Sequence, residues 1–177
     1  MKKRCILAVL FAVAIAGCTS LRPTESGVQR RSGLAYLNFW GPPYLTVPVA
    51  KQIEIEPSMG PDFDVYHFSR TMTDTNTPPP AIMGLYIGHC PQSFLTTQAV
   101  AEVSFHLLGS NRTWRCVSGE TPKGCFFFRE AHLRELFAPL SEGFSMGGLV
   151  VHVWIKGTDT NEIAMYEGMV KSLRVTK

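Results

Sequence analysis

The chain predicts an α+β domain: a mainly antiparallel sheet with one or two packed helices, one of them at the C-terminus. Three observations carry this. Short stretches of alternating apolar and polar residues recur through the first two thirds, divided by Gly, Pro and Asn turns. Residues 149–155 (LVVHVWI) form the most hydrophobic run beyond the N-terminus, as a central strand requires. A helical stripe of Ile163, Tyr166, Met169, Val170 and Leu173 then closes the chain.

Residues 44–49 are apolar and extended, and Pro48, which lacks an N–H, suits an edge. Residues 52–56 alternate strictly, with Ile53 and Ile55 on one face and Glu54 and Glu56 in water. A turn over 57–61 leads to strands over 63–68 and 83–89, joined by a polar loop holding Pro78, Pro79 and Pro80. Phe63, Val65 and His67 share one face of the first strand; Met83, Leu85 and Ile87 share one face of the second. Residues 101–108 set Val103, Phe105 and Leu107 against Glu102, Ser104 and His106. Gly109, Ser110 and Asn111 turn the chain into a strand over 113–117, and a turn over 118–124 leads to Cys125 and Phe126 to Phe128. Leu133, Leu136 and Phe137 lie at helical spacing and predict a helix over 130–138, although its start also alternates. The last helix is better marked. Asp159 can cap it, Glu162 stands three residues on, and Lys171 and Arg174 lie near its negative end.

The N-terminus carries an address. Lys2, Lys3 and Arg4 precede an unbroken apolar run over 5–16, and small residues follow. Crossing a bilayer core takes roughly 20 apolar residues, so this run is too short for a membrane span and reads as a cleaved signal. A plain secretory cut after Gly17 is one alternative. Ile15, Ala16, Gly17 and Cys18 resemble the lipobox of bacterial lipoproteins: an aliphatic residue, two small ones, then Cys. The resemblance implies that Cys18 becomes the first residue, its thiol bearing diacylglycerol and its amine a third acyl chain. Each buried methylene is worth about 0.8 kcal/mol, and two or more chains anchor stably where one does not. The partner implied is a membrane, reached through these chains. Thr19 stands where inner-membrane retention in many Gram-negative bacteria uses Asp, which implies the outer membrane, facing the periplasm. The expected organisation is a leader over 1–17, a lipidated N-terminus and flexible tether over 18–33, and one globular domain over 34–177.

Charge excludes one class of partner. The chain has 17 basic and 14 acidic residues, a net charge of +3. Lys2, Lys3 and Arg4 account for that excess, and beyond the leader the two signs balance. Without a basic face, a nucleic-acid partner is not expected. Of the five cysteines, Cys5 leaves with the leader and Cys18 is acylated. Cys116 and Cys125 flank a turn-rich segment with Gly119, Pro122 and Gly124. A disulfide between them suits an oxidising periplasm, with two buried thiols as the alternative. Cys90 reads as a buried small hydrophobe.

The chemical motifs are weak. Gly143-Phe-Ser-Met-Gly147 matches the G-x-S-x-G nucleophile elbow in letters, but that elbow needs a strand before the serine and a helix after it. Here the expected strand follows Ser145, and His152 and Asp159 come in the wrong order. A tight glycine loop is the plainer reading. His67, His89, His106, His132 and His152 show no metal-ligand spacing, and each reads as a structural or surface residue. His67, His106 and His152 would converge only if sheet order and register cooperated. Asp62 and Asp64 share a strand face, as Glu54 and Glu56 do, and read as solvated pairs. No metal or cofactor is expected. Phe39 to Tyr44 is an aromatic segment that can serve as a contact surface or as core.

Residues 63–68 (FDVYHF), 84–91 (GLYIGHCP), His152 to Ile155 and a closing helix ending over 170–174 look like small bacterial envelope proteins. Their layout is similar to the PsbP-like α/β/α sandwich, an antiparallel sheet between helices. That resemblance implies a binding scaffold rather than a given chemistry. Three functions follow as expectations. Foremost is a non-catalytic, lipid-anchored binding or accessory module, with an envelope protein or small ligand as partner. The others are a periplasmic hydrolase with an unrecognised site, which a cleft holding Ser145, His152 and a carboxylate would mark, and a purely structural surface lipoprotein.

Overall fold

The computed structural model describes residues 27–38, 44–72, 79–95, 101–120, 130–140 and 148–176. Its strands run β1 (Val28–Arg31), β2 (Leu34–Leu37), β3 (Tyr44–Pro48), β4 (Ile53–Met59), β5 (Phe63–Arg70) and β6 (Ala81–Gly88). They continue as β7 (Ala101–Leu107), β8 (Ser110–Glu120), β9 (Glu130–Leu140) and β10 (Leu149–Gly157). Helix α1 (Thr160–Lys171) and a short β11 (Arg174–Thr176) end the chain. A seven-stranded sheet has the order β4-β5-β6-β10-β9-β8-β7, and a small sheet the order β1-β2-β3-β11. Every pairing is antiparallel.

The apolar run over 149–155 is central, as its composition requires. β10 pairs with β6 on one side and β9 on the other. Val151, Val153 and Ile155 face a core shared with Tyr66, Phe68, Met83, Leu85 and Ile87, all at most 1 % exposed. Across this face lie the small sheet and α1, whose Ile163, Tyr166, Met169 and Val170 are buried. Asp159 Oδ1 accepts from the backbone N–H of Asn161 and Glu162 at 2.8 and 3.3 Å, so the cap read from sequence is present. Tyr66 ties the layers together: its hydroxyl donates to Asn38 O at 2.5 Å and lies 3.2 Å from Gly27 O. Burial, with the Asp64 charge adding to it, pushes the Tyr66 hydroxyl well above the ordinary tyrosine value.

Turns fix the registers. The β1–β2 and β7–β8 hairpins have two-residue loops, Ser32-Gly33 and Leu108-Gly109, with positive φ at both positions (52° and 78°; 49° and 77°). That geometry matches the twist of a hairpin, and glycine supplies it without strain. Pro48 lies at the end of β3, beyond Thr46, where the pairing with β11 begins, so β11 does not pair with it. Pro57 sits inside β4, the sheet's edge, where its missing N–H interrupts no ladder on the outer side.

The structure corrects several expectations. Residues 130–138 form no helix but the strand β9, so α1 is the single helix among the described residues. Leu136, Ala138 and Leu140 turn to the core and Glu135, Phe137 and Pro139 to the other face, a period of two that pairing with β10 selects. The helices on both faces that the PsbP-like resemblance implies are replaced among those residues by one helix and a small sheet on one face. β1 falls within the expected tether, so the fold begins before Leu34. The turn expected over 57–61 lies later, because β4 runs on to Met59. Asp64 is not solvated but buried at 3 % exposure, on the face shared by Tyr66 and Phe68. Cys90 is exposed rather than buried, just past the end of β6.

Candidate functional site

The face of the large sheet away from α1 holds a polar and aromatic cluster. Register places its members side by side. Glu135 on β9 opposes Trp154 on β10, and Phe137 opposes His152. On the other side of β10, Trp154 opposes Gly84 and His152 opposes Tyr86. Gly84 has a steric reason to be glycine: a Cβ there would run into Trp154 Cε2 and Cζ2, so the indole lies over the gap. His67, opposite Gly84 on β5, meets Trp154 edge-on with ring centroids 6.1 Å apart.

The centre of the cluster is Glu135, with no exposed surface. Its Oε1 accepts from His152 Nε2 at 2.8 Å and from the Phe94 N–H at 2.8 Å. Its Oε2 accepts from Ser93 Oγ at 2.8 Å and from the Leu95 N–H at 3.3 Å. Arg115 on β8, opposite Glu135 in register, brings Nη1 to 3.9 Å from Oε2. A buried carboxylate without such partners would cost several kcal/mol. Burial alone would push its pKa up; the bonds from His152, Phe94 and Ser93 outweigh that and hold it below the ordinary glutamate value. Because a carboxylate only accepts, Nε2 is the nitrogen of His152 that carries hydrogen. The imidazole, 2 % exposed, stacks on Phe137 at 4.3 Å with the planes 9° apart. Phe94 lies against it at a tilt, with centroids 5.5 Å apart, and meets Trp154 edge-on at 5.2 Å.

The residues singled out from sequence are dispersed. Ile15, Ala16, Gly17, Cys18, Cys125 and Ser145 lie outside the described residues, as do Phe39 to Pro43. Cys116 is half-buried on β8, with Sγ 3.8 Å from Trp114 O; its pairing with Cys125 falls outside what is described. Of the histidines whose convergence depends on sheet order, His67 and His152 share this face, whereas His106 is exposed at the far edge on β7 beside Asn111. Glu135, Ser93 and Arg115 were not foreseen. A helix over 130–138 hides Glu135 as one more solvated acid. Read with period two, the same residues put a carboxylate between Leu133 and Phe137 on one strand face, which is the signal for it.

Serine, histidine and carboxylate meet here, but not as a relay. Ser93 and His152 both bind Glu135, whereas a nucleophilic serine needs the histidine between itself and the acid. Among the described residues, no group of three His, Cys, Asp or Glu is placed to hold a metal, and no helix is long and apolar enough to cross a membrane. No family model matches the chain, and no curated protein and no solved structure matches it either.

Proposed function

We propose that this chain is a lipid-anchored protein of the bacterial envelope, held on acylated Cys18 in the outer membrane and facing the periplasm, whose domain is a non-catalytic binding or accessory module. The lipobox-like residues Ile15 to Cys18 support the anchor. The saturation of Glu135 is the observation that carries the non-catalytic half. All of its acceptor positions are taken by groups of its own chain, and the dyad it forms with His152 is closed to water. Such a network builds rigidity rather than reactivity.

Two measurements test this. Radiolabelled palmitate should enter the wild-type protein and not Cys18→Ser, which should leave the membrane fraction; equal labelling of both would end the lipid reading. A photo-crosslinker placed at exposed His67 or Val103 in cells should trap one envelope partner in stoichiometric yield, lost on competition by the purified domain. The hydrolase reading keeps one observation, the contact between His152 and a carboxylate. A fluorophosphonate that labels a serine in the wild type but not in His152→Ala would replace the binding module with an enzyme.

A further inference from the structure

The link from β6 to β7 has an unusual task. β6 is third in the seven-stranded sheet and β7 is its far edge, so the chain must pass β10, β9 and β8 to get there. Residues 89–95 make the described part of that crossing, over the face away from α1. Its attachment converges on one side chain. Ser93 Oγ and the backbone N–H groups of Phe94 and Leu95 all donate to the Glu135 carboxylate. Leu95 is 2 % exposed, and Phe94 lies on the His152 and Trp154 rings. Elsewhere the stretch is held by Arg115 Nη1, which donates to Ser93 Oγ at 3.4 Å, and at its start, where the Cys90 N–H donates to Tyr86 Oη at 3.1 Å.

We propose that residues 89–95 form an acid-released strap with Glu135 as its latch: when the carboxylate takes a proton from solvent, residues 93–95 leave the sheet and uncover His152 and Trp154. The chemistry follows from the donor count. Each Glu135 oxygen faces two donors at 2.8–3.3 Å. A proton on either oxygen puts a fifth hydrogen where donors already stand, beside Ser93 and Leu95 on Oε2 or Phe94 and His152 on Oε1, and in both cases the charge that strengthens all three strap bonds is gone. The Arg115 guanidinium then also loses its counter-charge. Other charged groups on this face do not substitute for the latch. Lys156 on β10 lies two residues beyond Trp154 and is buried; Glu102 on β7 opposes Arg115 and is exposed; His89 is exposed where the strap begins. A proton taken by His152 goes to Nδ1 and leaves its Nε2–H donor in place, so the latch survives that event. The strap stands or falls independently of whether the face binds a partner.

Peptide-resolved hydrogen exchange on the detergent-solubilised full-length protein tests it, with rates corrected for intrinsic pH dependence. As the pH falls from 7 to about 2.5, past the ordinary glutamate range because Glu135 is held below it, protection over 93–95 should drop at least tenfold. Protection over 149–157 should hold. Glu135→Gln should show the low value at both pH values. Ser93→Ala, which removes one donor and keeps the charge, should shift release to higher pH. The proposal is overturned if 93–95 stay protected at about pH 2.5, if they open only together with β10, or if Glu135→Gln keeps the wild-type pH dependence. Should Glu135→Gln not fold, the wild-type titration and Ser93→Ala decide.

Discussion

The two faces of the seven-stranded sheet are built from the same strands but held by different physics. Toward α1, the described side chains of β5, β6, β9 and β10 are mainly apolar and almost fully enclosed, with Asp64 buried among them, and their stability comes from area removed from water. On the opposite face Glu135, Phe137, His152 and Trp154 stand among Val65, Ile82 and Val150, and among the described residues the cover is the crossing segment 89–95. There one carboxylate organises the contacts. The first face tolerates rearrangement as long as volume is kept; the second depends on the identity and charge of single residues.

The largest effect expected is on the apolar face. Phe68→Ala removes a fully buried ring beside Leu85 and Met83 and should cost about 3–5 kcal/mol, read from urea unfolding. A loss below about 1 kcal/mol would mean that this face is not the main core. Next is the latch. Glu135→Gln takes the charge from four hydrogen bonds and should cost roughly 1.5–3 kcal/mol at pH 7. The pH dependence has a definite sign. The Glu135 carboxyl is held below its ordinary value of about 4.5, so its contribution is fully present above that pH and is lost as the pH falls through the lower, folded value. Wild-type stability should therefore drop more steeply with acid than that of Glu135→Gln, and parallel profiles would put the linkage elsewhere.

How far the sequence foretold each face follows from what each is made of. Apolar periodicity is a local signal, so β10, β4 and the stripe and cap of α1 could be read directly. Glu135 could not, because its neighbours come from residues 93–95, 115 and 152, brought together by strand order. Helical spacing of Leu133, Leu136 and Phe137 competed with alternation over the same residues, and pairing with β10 decided between them. Short β11 left no pattern at all, since three residues give no period.

Gly84→Ala probes the seam between strap and sheet. Its Cβ would displace the Trp154 indole, but that ring is half-exposed and can swing outward. The cost should be about 1 kcal/mol, at the low end for overpacking. Tryptophan emission should shift to the red as the ring gains water; an unmoved spectrum would place the indole elsewhere.

The smallest effect separates a structural rim from a structural centre. His67 touches Trp154 from the exposed side of β5, and that edge-on ring contact is its one described interaction on this face. His67→Ala should change stability by less than about 0.5 kcal/mol, as surface substitutions do. It should leave the acid profile intact, because His67 makes no bond to Glu135. A loss as large as that of Glu135→Gln would mean that the aromatic residues, not the carboxylate, hold the strap in place. The polar face would then be a second hydrophobic core in disguise, and the contrast between the two faces would be one of degree.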